Sequence, residues 1–179
     1  MDGNNHDEKG FNQGNRSQGN RKIESSCSDF IKEAKVKTAS YCAYQERTQQ
    51  EVRDKLYNIG LHRQEVEEVL SELITENFVN EERFAKTYAS GKFIHNKWGR
   101  LKIRQGLQQK RISDYCQKIA LQEIDTDAYL AQIAQLVDKK IRSTKDTNQW
   151  VIKNKAAAYV IGKGYESDLV WEVVNGLLD

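Results

Sequence analysis

Proline is missing from all 179 residues of this chain. Average usage is about 5%, and proline breaks helix interiors by removing a backbone donor and clashing with the preceding turn. Its absence, with abundant Glu, Lys, Gln, Leu and Ala, predicts an almost wholly helical protein. Cysteine is scarce too: Cys27, Cys42 and Cys116 are scattered and odd in number. Without a CxxC or a Cys/His ligand spacing, they argue against a disulfide framework and against structural zinc. Cys42 and Cys116 fall in apolar helical patterns and are expected as small core residues. No apolar run approaches the roughly 18 residues of a membrane span, and no signal-peptide core appears near the start, so a cytoplasmic protein without a membrane partner is expected. Glycine-rich phosphate loops, nucleophile elbows and HExxH are all absent. His6, His62 and His95 lie far apart. No catalytic residue, metal ligand or cofactor is therefore expected.

What is present is charge and repetition. Charged residues make up 30% of the chain and apolar ones 38%. Residues 1 to about 22 are dominated by Asn, Gly, Gln and charge, with almost no apolar side chain to offset the entropy of ordering them. A disordered polar tail is expected, extending to residue 33 where the first helical pattern begins.

Beyond it the chain repeats. VRDKLYNIGLHRQEVEEVLSEL from Val52, IRQGLQQKRISDYCQKIALQEI from Ile103 and AAYVIGKGYESDLVWEVVNGLL from Ala156 share one apolar pattern. Leu56, Leu107 and Val160 are equivalent, as are Leu61, Ile112 and Tyr165. Steps of three and four residues mark one buried helical face. A period near 50 indicates stacked helical units, each too small to bury its face alone. An earlier helix precedes each pair, over Ala34–Arg47, Glu81–Ile94 and Asp127–Arg142. The expected architecture is all-α: three tandem three-helix repeats over 34–80, 81–125 and 126–179.

Local signals fix the turns. Gly60 and Gly164 stand where a helix ends in a left-handed residue, and Leu61 and Tyr165 are placed to staple onto Val66 and Val170. The middle unit has Arg111 at the glycine position, which predicts a strained helix end. Thr48 and Glu51 fit a capping box. Asn80 is a cap, followed by Glu81 and Glu82 at the positive helix end, and Val79 is placed to staple onto Phe84.

Charge falls in blocks. From Gln45 to Glu82 there are ten acids against four bases, and from Arg83 to Ile112 nine bases and no acid. Lys92, Lys97, Arg100, Lys102, Arg104, Lys110 and Arg111 crowd into one stretch around Trp98. On a helical wheel Arg100, Arg104 and Arg111 fall within about 40° of one another, while Lys102 points elsewhere. Such a row suits paired donation to phosphate or carboxylate. A second block, Lys139, Lys140 and Arg142, extends the basic surface. So many like charges repel unless a ligand neutralises them, although individual bases can instead pair with the acidic first unit. Trp98, Trp150 and Trp171 are expected in the core more than as stacking platforms.

The runs ASYCAYQERTQQEVRDKLYNIGL, VNEERFAKTYASGK and WGRLKIRQGLQQKRIS, in that order and spacing, resemble the RecX family of regulators of the RecA recombinase. The likeness runs from about Ala39 to the end, and its most distinctive part is Val79–Ala85. The usual glycine is replaced by Arg111, and the commoner aspartate after Asn80 by Glu81. The resemblance implies an elongated, curved array that binds the RecA filament on single-stranded DNA, or duplex DNA. It further implies a monomer that restrains ATP hydrolysis and strand exchange in recombination, repair and the SOS response. Lys92, Lys97, Trp98, Arg100, Arg104, Lys110, Arg111, Lys139, Lys140 and Arg142 are the candidate DNA- or filament-binding residues. A stand-alone, sequence-independent nucleic-acid binder is the alternative, and a generic helical scaffold for an unrelated protein is a third.

Overall fold

Each three- and four-residue apolar repeat becomes a helix with one buried stripe. The computed structural model of the chain describes residues 17–178, with side chains from 28 to 177. Among the described residues there are nine α-helices and no strand. They run α1 (Ser17–Tyr44), α2 (Gln49–Ile59), α3 (Arg63–Thr75), α4 (Glu81–Ile94), α5 (Arg100–Gln109), α6 (Asp114–Gln122), α7 (Thr126–Ser143), α8 (Gln149–Ile161) and α9 (Ser167–Leu178). Packing groups them in threes: α1 with α2 and α3, α4 with α5 and α6, α7 with α8 and α9.

The first helix departs from expectation. Composition predicts an unstructured segment through residue 33, yet the backbone is helical from Ser17. Ala34 is buried in the first core and Ile31 packs against it. A helix anchored there extends readily, because nucleation and not elongation is the unfavourable step. Residues 1–16 of the expected tail lie outside the described residues. At its other end α1 stops at Tyr44, short of Arg47. Thr48 must be extended to cap α2, and it is, with φ −75° and ψ 157°.

The caps form as the sequence requires. The Glu51 amide donates to Thr48 Oγ1 at 3.1 Å, and the Thr48 amide to Glu51 Oε2 at 3.0 Å. Asn80 Oδ1 accepts from the Arg83 amide at 2.9 Å. Leu61 and Val66 are buried in one core and Tyr165 and Val170 in the other, as those two staples demand, whereas Val79 and Phe84 are buried in different cores. Gly60 and Gly164 adopt φ of +112° and +90°. Arg111 takes the same left-handed region, φ +57°, at a cost of roughly 1–2 kcal/mol for a residue with a Cβ.

Two cores result. One lies within the first repeat and includes Val52, Leu56, Val66, Leu70 and Leu73. The second runs without a break through repeats two and three, from Phe84 and Ile103 to Tyr165 and Val174. Cys42 and Cys116 are buried free thiols within them. The unequal division follows from how neighbouring repeats meet. Repeats two and three cross backbone on backbone: the Gly99 amide donates to Lys163 O at 2.9 Å, and the Leu101 amide to Gly164 O at 3.0 Å. A Cβ on Gly99 would lie 2.2 Å from Gly164 O, and one on Gly164 would lie 2.3 Å from Lys102 Cβ. Tyr129 of α7 fills the space beside this crossing, fully buried, with ring centroids 5.8 Å from Phe93 and 5.0 Å from Tyr165. Repeats one and two meet through ion pairs: Arg83 to Glu46 at 2.5 Å and Lys110 to Glu51 at 2.9 Å.

Gly164→Ala combines a forbidden backbone angle with a clash against Lys102, so thermal unfolding should show a loss of about 2–4 kcal/mol. Gly176→Ala, whose added Cβ meets nothing within 4 Å, should be neutral or stabilising by up to about 1 kcal/mol.

Candidate nucleic-acid interface

The basic stretch begins at the end of α4. Its last turns carry Lys92, and the chain then bends through Lys97, left-handed at φ +57°, so that the Trp98 amide donates back to Lys92 O at 3.1 Å. Trp98 packs one side against the second core. Its ring lies between two ammonium groups, Lys92 Nζ at 5.0 Å and Lys102 Nζ at 4.9 Å from the centroid. Lys92 also sits 5.3 Å from the Tyr88 ring. Lys102, which the helical wheel sets apart, joins this group because Trp98 reaches out from the loop before α5.

A matching group forms in the third repeat. Tyr159 of α8 lies between Lys140 Nζ of α7 at 5.5 Å and Lys163 Nζ at 5.3 Å. Sequence reading missed Tyr159 and Lys163. The available signal was Lys163 immediately before the left-handed Gly164, a place set on the exposed shoulder of a turn. The Gly99–Gly164 crossing brings the two lysine–aromatic–lysine groups beside each other, since Lys163 supplies the acceptor for Gly99 and Lys102 abuts Gly164. Residues some 60 positions apart in the chain thus contribute to neighbouring parts of one surface.

The expected row of arginines does not form. Arg100 turns inward: its guanidinium covers the Tyr129 ring at 4.1 Å and donates to Ile124 O at 3.2 Å. Its amide donates to the Tyr129 hydroxyl, which in turn donates to Glu166 Oε2 at 2.6 Å. Burial and the Glu166 carboxylate hold the Tyr129 phenol well above its ordinary pKa, so it stays a neutral donor. Arg111 leaves the row because α5 ends at Gln109 and the wheel no longer applies. It is exposed beside Thr48, Gln50 and Lys110.

Lys110 is engaged with Glu51 across the first joint and lies 5.6 Å from the Phe84 ring. Burial raises the Glu51 pKa, but the Lys110 hydrogen bond and the Thr48 amide outweigh it and hold the carboxyl below its usual value. Lys97, Arg104, Arg111 and Lys139 have no carboxylate partner among the described residues. Arg142 pairs only within its helix, with Asp138 at 2.9 Å, a solvent-exposed contact worth a few tenths of a kcal/mol.

Of the other tryptophans, Trp171 packs against the second core as expected. Trp150 does not. It is 72% exposed at the start of α8, because the buried positions Ala156, Ala157 and Val160 define a stripe about 70° away on the helix. Among the described residues no cluster of His, Cys, Asp and Glu is arranged to hold a metal. None of the helices is long and apolar enough to cross a membrane.

Tandem three-helix units, here with an aromatic-interleaved cationic surface, define an all-α helical-repeat protein. Models of the RecX first, second and third three-helix domains match residues 34–73, 80–121 and 127–174. The chain belongs to the RecX family, one of regulatory proteins and not of enzymes. Regulatory protein RecX of Bacillus mycoides (strain KBAB4) is 28% identical over 149 residues, covering 83% of this chain and 55% of the relative. That of Streptococcus uberis is 31% identical over 143 residues, covering 77% and 52%. The chain thus spans about half the length of these curated relatives. The fold is shared with the crystal structure of RecX from Lactobacillus salivarius, at a TM-score of 0.78 and 23% identity, covering 84% of this chain and 97% of that one.

The geometry separates the arginines by role. Arg100→Ala should lower stability by about 1–3 kcal/mol in chemical denaturation, through loss of the Ile124 hydrogen bond and the Tyr129 contact. Arg104→Ala should stay within about 0.5 kcal/mol of the parent.

Proposed function

We propose that this chain binds a RecA filament on single-stranded DNA and lowers its ATP hydrolysis and strand exchange, acting as a cytoplasmic monomer in recombination and DNA repair. The single observation that carries this reading is the pair of lysine–aromatic–lysine groups beside the Gly99–Gly164 crossing. Ammonium groups neutralise phosphates and release counterions, and the aromatic faces between them offer sequence-tolerant contact to bases. The curated relatives' name, regulatory protein, supports a modulating role. The resemblance of the sequence to the RecX family supplies the recombinase as the target.

In this reading Lys92, Lys102, Lys140 and Lys163 line the strand, with Trp98 and Tyr159 between them. Lys97, Arg104, Arg111, Lys139 and Arg142 extend the field around it and steer the encounter. Arg100 and Lys110 act indirectly, by fixing the joints between repeats. The acidic first repeat faces protein and not phosphate, since eight carboxylates against four bases between Gln45 and Asn80 repel a polyanion. A chain held by both protein and DNA links successive filament subunits and obstructs the second strand.

Adding the purified chain to RecA on single-stranded DNA should lower ATP turnover and strand exchange. The double variant Lys102→Glu/Lys163→Glu should relieve most of that inhibition, with a thermal melt by circular dichroism checking that these two half-buried positions tolerate the charge reversal. Turnover and exchange both unchanged by the folded wild-type chain defeats the proposal.

The free cations favour one second reading, a stand-alone nucleic-acid binder. In that case inhibition should disappear once enough single-stranded DNA is supplied to hold both proteins. Persistent inhibition under those conditions selects the filament reading. In either case each lost lysine–phosphate contact should reduce the salt slope of binding by about 1.

A further inference from the structure

We infer that Trp150 is a stacking platform for an unpaired nucleobase, outside the two lysine–aromatic–lysine groups; this rests on the nucleic-acid reading above. A tryptophan side chain is among the largest apolar surfaces a protein can bury, yet this one is 72% exposed. Its indole makes no ring or cation contact among the described residues, and it is not packed against the second core. The backbone beneath it is nevertheless well held. The Trp150 amide donates to Asn148 Oδ1 at 2.9 Å, and Trp150 O accepts from Asn154 Nδ2 at 2.7 Å. An ordered first helical turn therefore presents a free indole to solvent.

The surroundings choose the occupant. From Lys139 to Lys163 there are seven bases and one acid, Asp146, and that acid is taken by Lys155 at 3.1 Å. Lys145, in the turn before α8, is exposed and has no partner among the described residues. The start of α8 adds the positive end of a helix dipole. A cationic surface carrying a bare aromatic face fits a polyanion that also exposes flat apolar faces, which a single strand does and a duplex does not. Trp150 precedes Tyr159 by nine residues on the same helix, about 14 Å along its axis. Nine residues also turn the helix through about 900°, so the two rings lie on opposite sides of α8 and Trp150 serves a base apart from the Tyr159 group.

The test uses the full chain with oligothymidylate as probe, and a duplex of equal length as control. Oligothymidylate should quench tryptophan emission and protect it from acrylamide. Trp150→Ala should remove the larger part of that protection, leaving the part due to Trp98, and weaken single-strand binding by about 5- to 150-fold, while Trp150→Phe retains most of the affinity. The salt slope should not change, since no phosphate contact is lost, and duplex binding should change less than about twofold. Equal affinity of Trp150→Ala and wild type, or an equal loss for single strand and duplex, overturns the inference while leaving the proposed function standing. If Trp150→Ala keeps its oligonucleotide affinity but loses inhibition of the filament, the indole touches protein and the inference is again wrong. If the wild-type chain binds no oligothymidylate at all, both this inference and the nucleic-acid part of the proposed function fall.

Discussion

The backbone crossing of Gly99 and Gly164 is the constraint on which the rest of the molecule depends. Two main-chain hydrogen bonds form there only because neither residue has a side chain, and the approach is so close that a single methyl on either would meet backbone or Cβ atoms at 2.2–2.3 Å. Once the α8–α9 turn rests on the start of α5, Tyr129 has a fixed cavity between Phe93 and Tyr165. Its hydroxyl then links the Arg100 amide to Glu166. Repeats two and three consequently share one core, and the lysines around Trp98 and Tyr159 occupy neighbouring parts of one surface.

The other joint is built differently. Glu46 and Glu51 of the acidic block meet Arg83 and Lys110 of the basic block, so the sign change in the sequence near Arg83 becomes a contact between repeats. Partly exposed ion pairs contribute little per pair and weaken with salt, whereas interdigitated apolar side chains do neither. The chain is therefore a two-repeat body with a first repeat attached mainly by charge.

Concentrated positive charge alone does not identify a binding residue. Arg100 and Lys110 belong to the same run as Lys97 and Arg104, but the fold uses the first two internally. Arg100 sits at a helix start directly over an aromatic ring from the next repeat, and Lys110 lies within reach of a carboxylate from the previous one. Both gain more from partners inside the chain than from water. Lys102 and Lys163 appear unremarkable by linear spacing, yet they flank aromatic rings because the turn at Gly164 places them there.

Much of the fold was legible in advance because it depends on short-range chemistry. Proline's absence, the three- and four-residue apolar steps, the Thr48 and Asn80 caps and the turn glycines all act within one or two helical turns, and each is written in adjacent residues. The extent of α1 was not legible, since composition cannot show that Ile31 and Ala34 anchor a helix to a core assembled from α2 and α3. Nor was the exposure of Trp150, which depends on a stripe set by Ala156, Ala157 and Val160 one to three turns away. By itself the sequence determined the helices, their grouping in threes and the alternating charge. Only the tertiary structure decided which cations remain free and which repeats fuse, because those outcomes turn on backbone hydrogen bonds between residues 63 and 64 positions apart, and no local pattern encodes a distance across the fold.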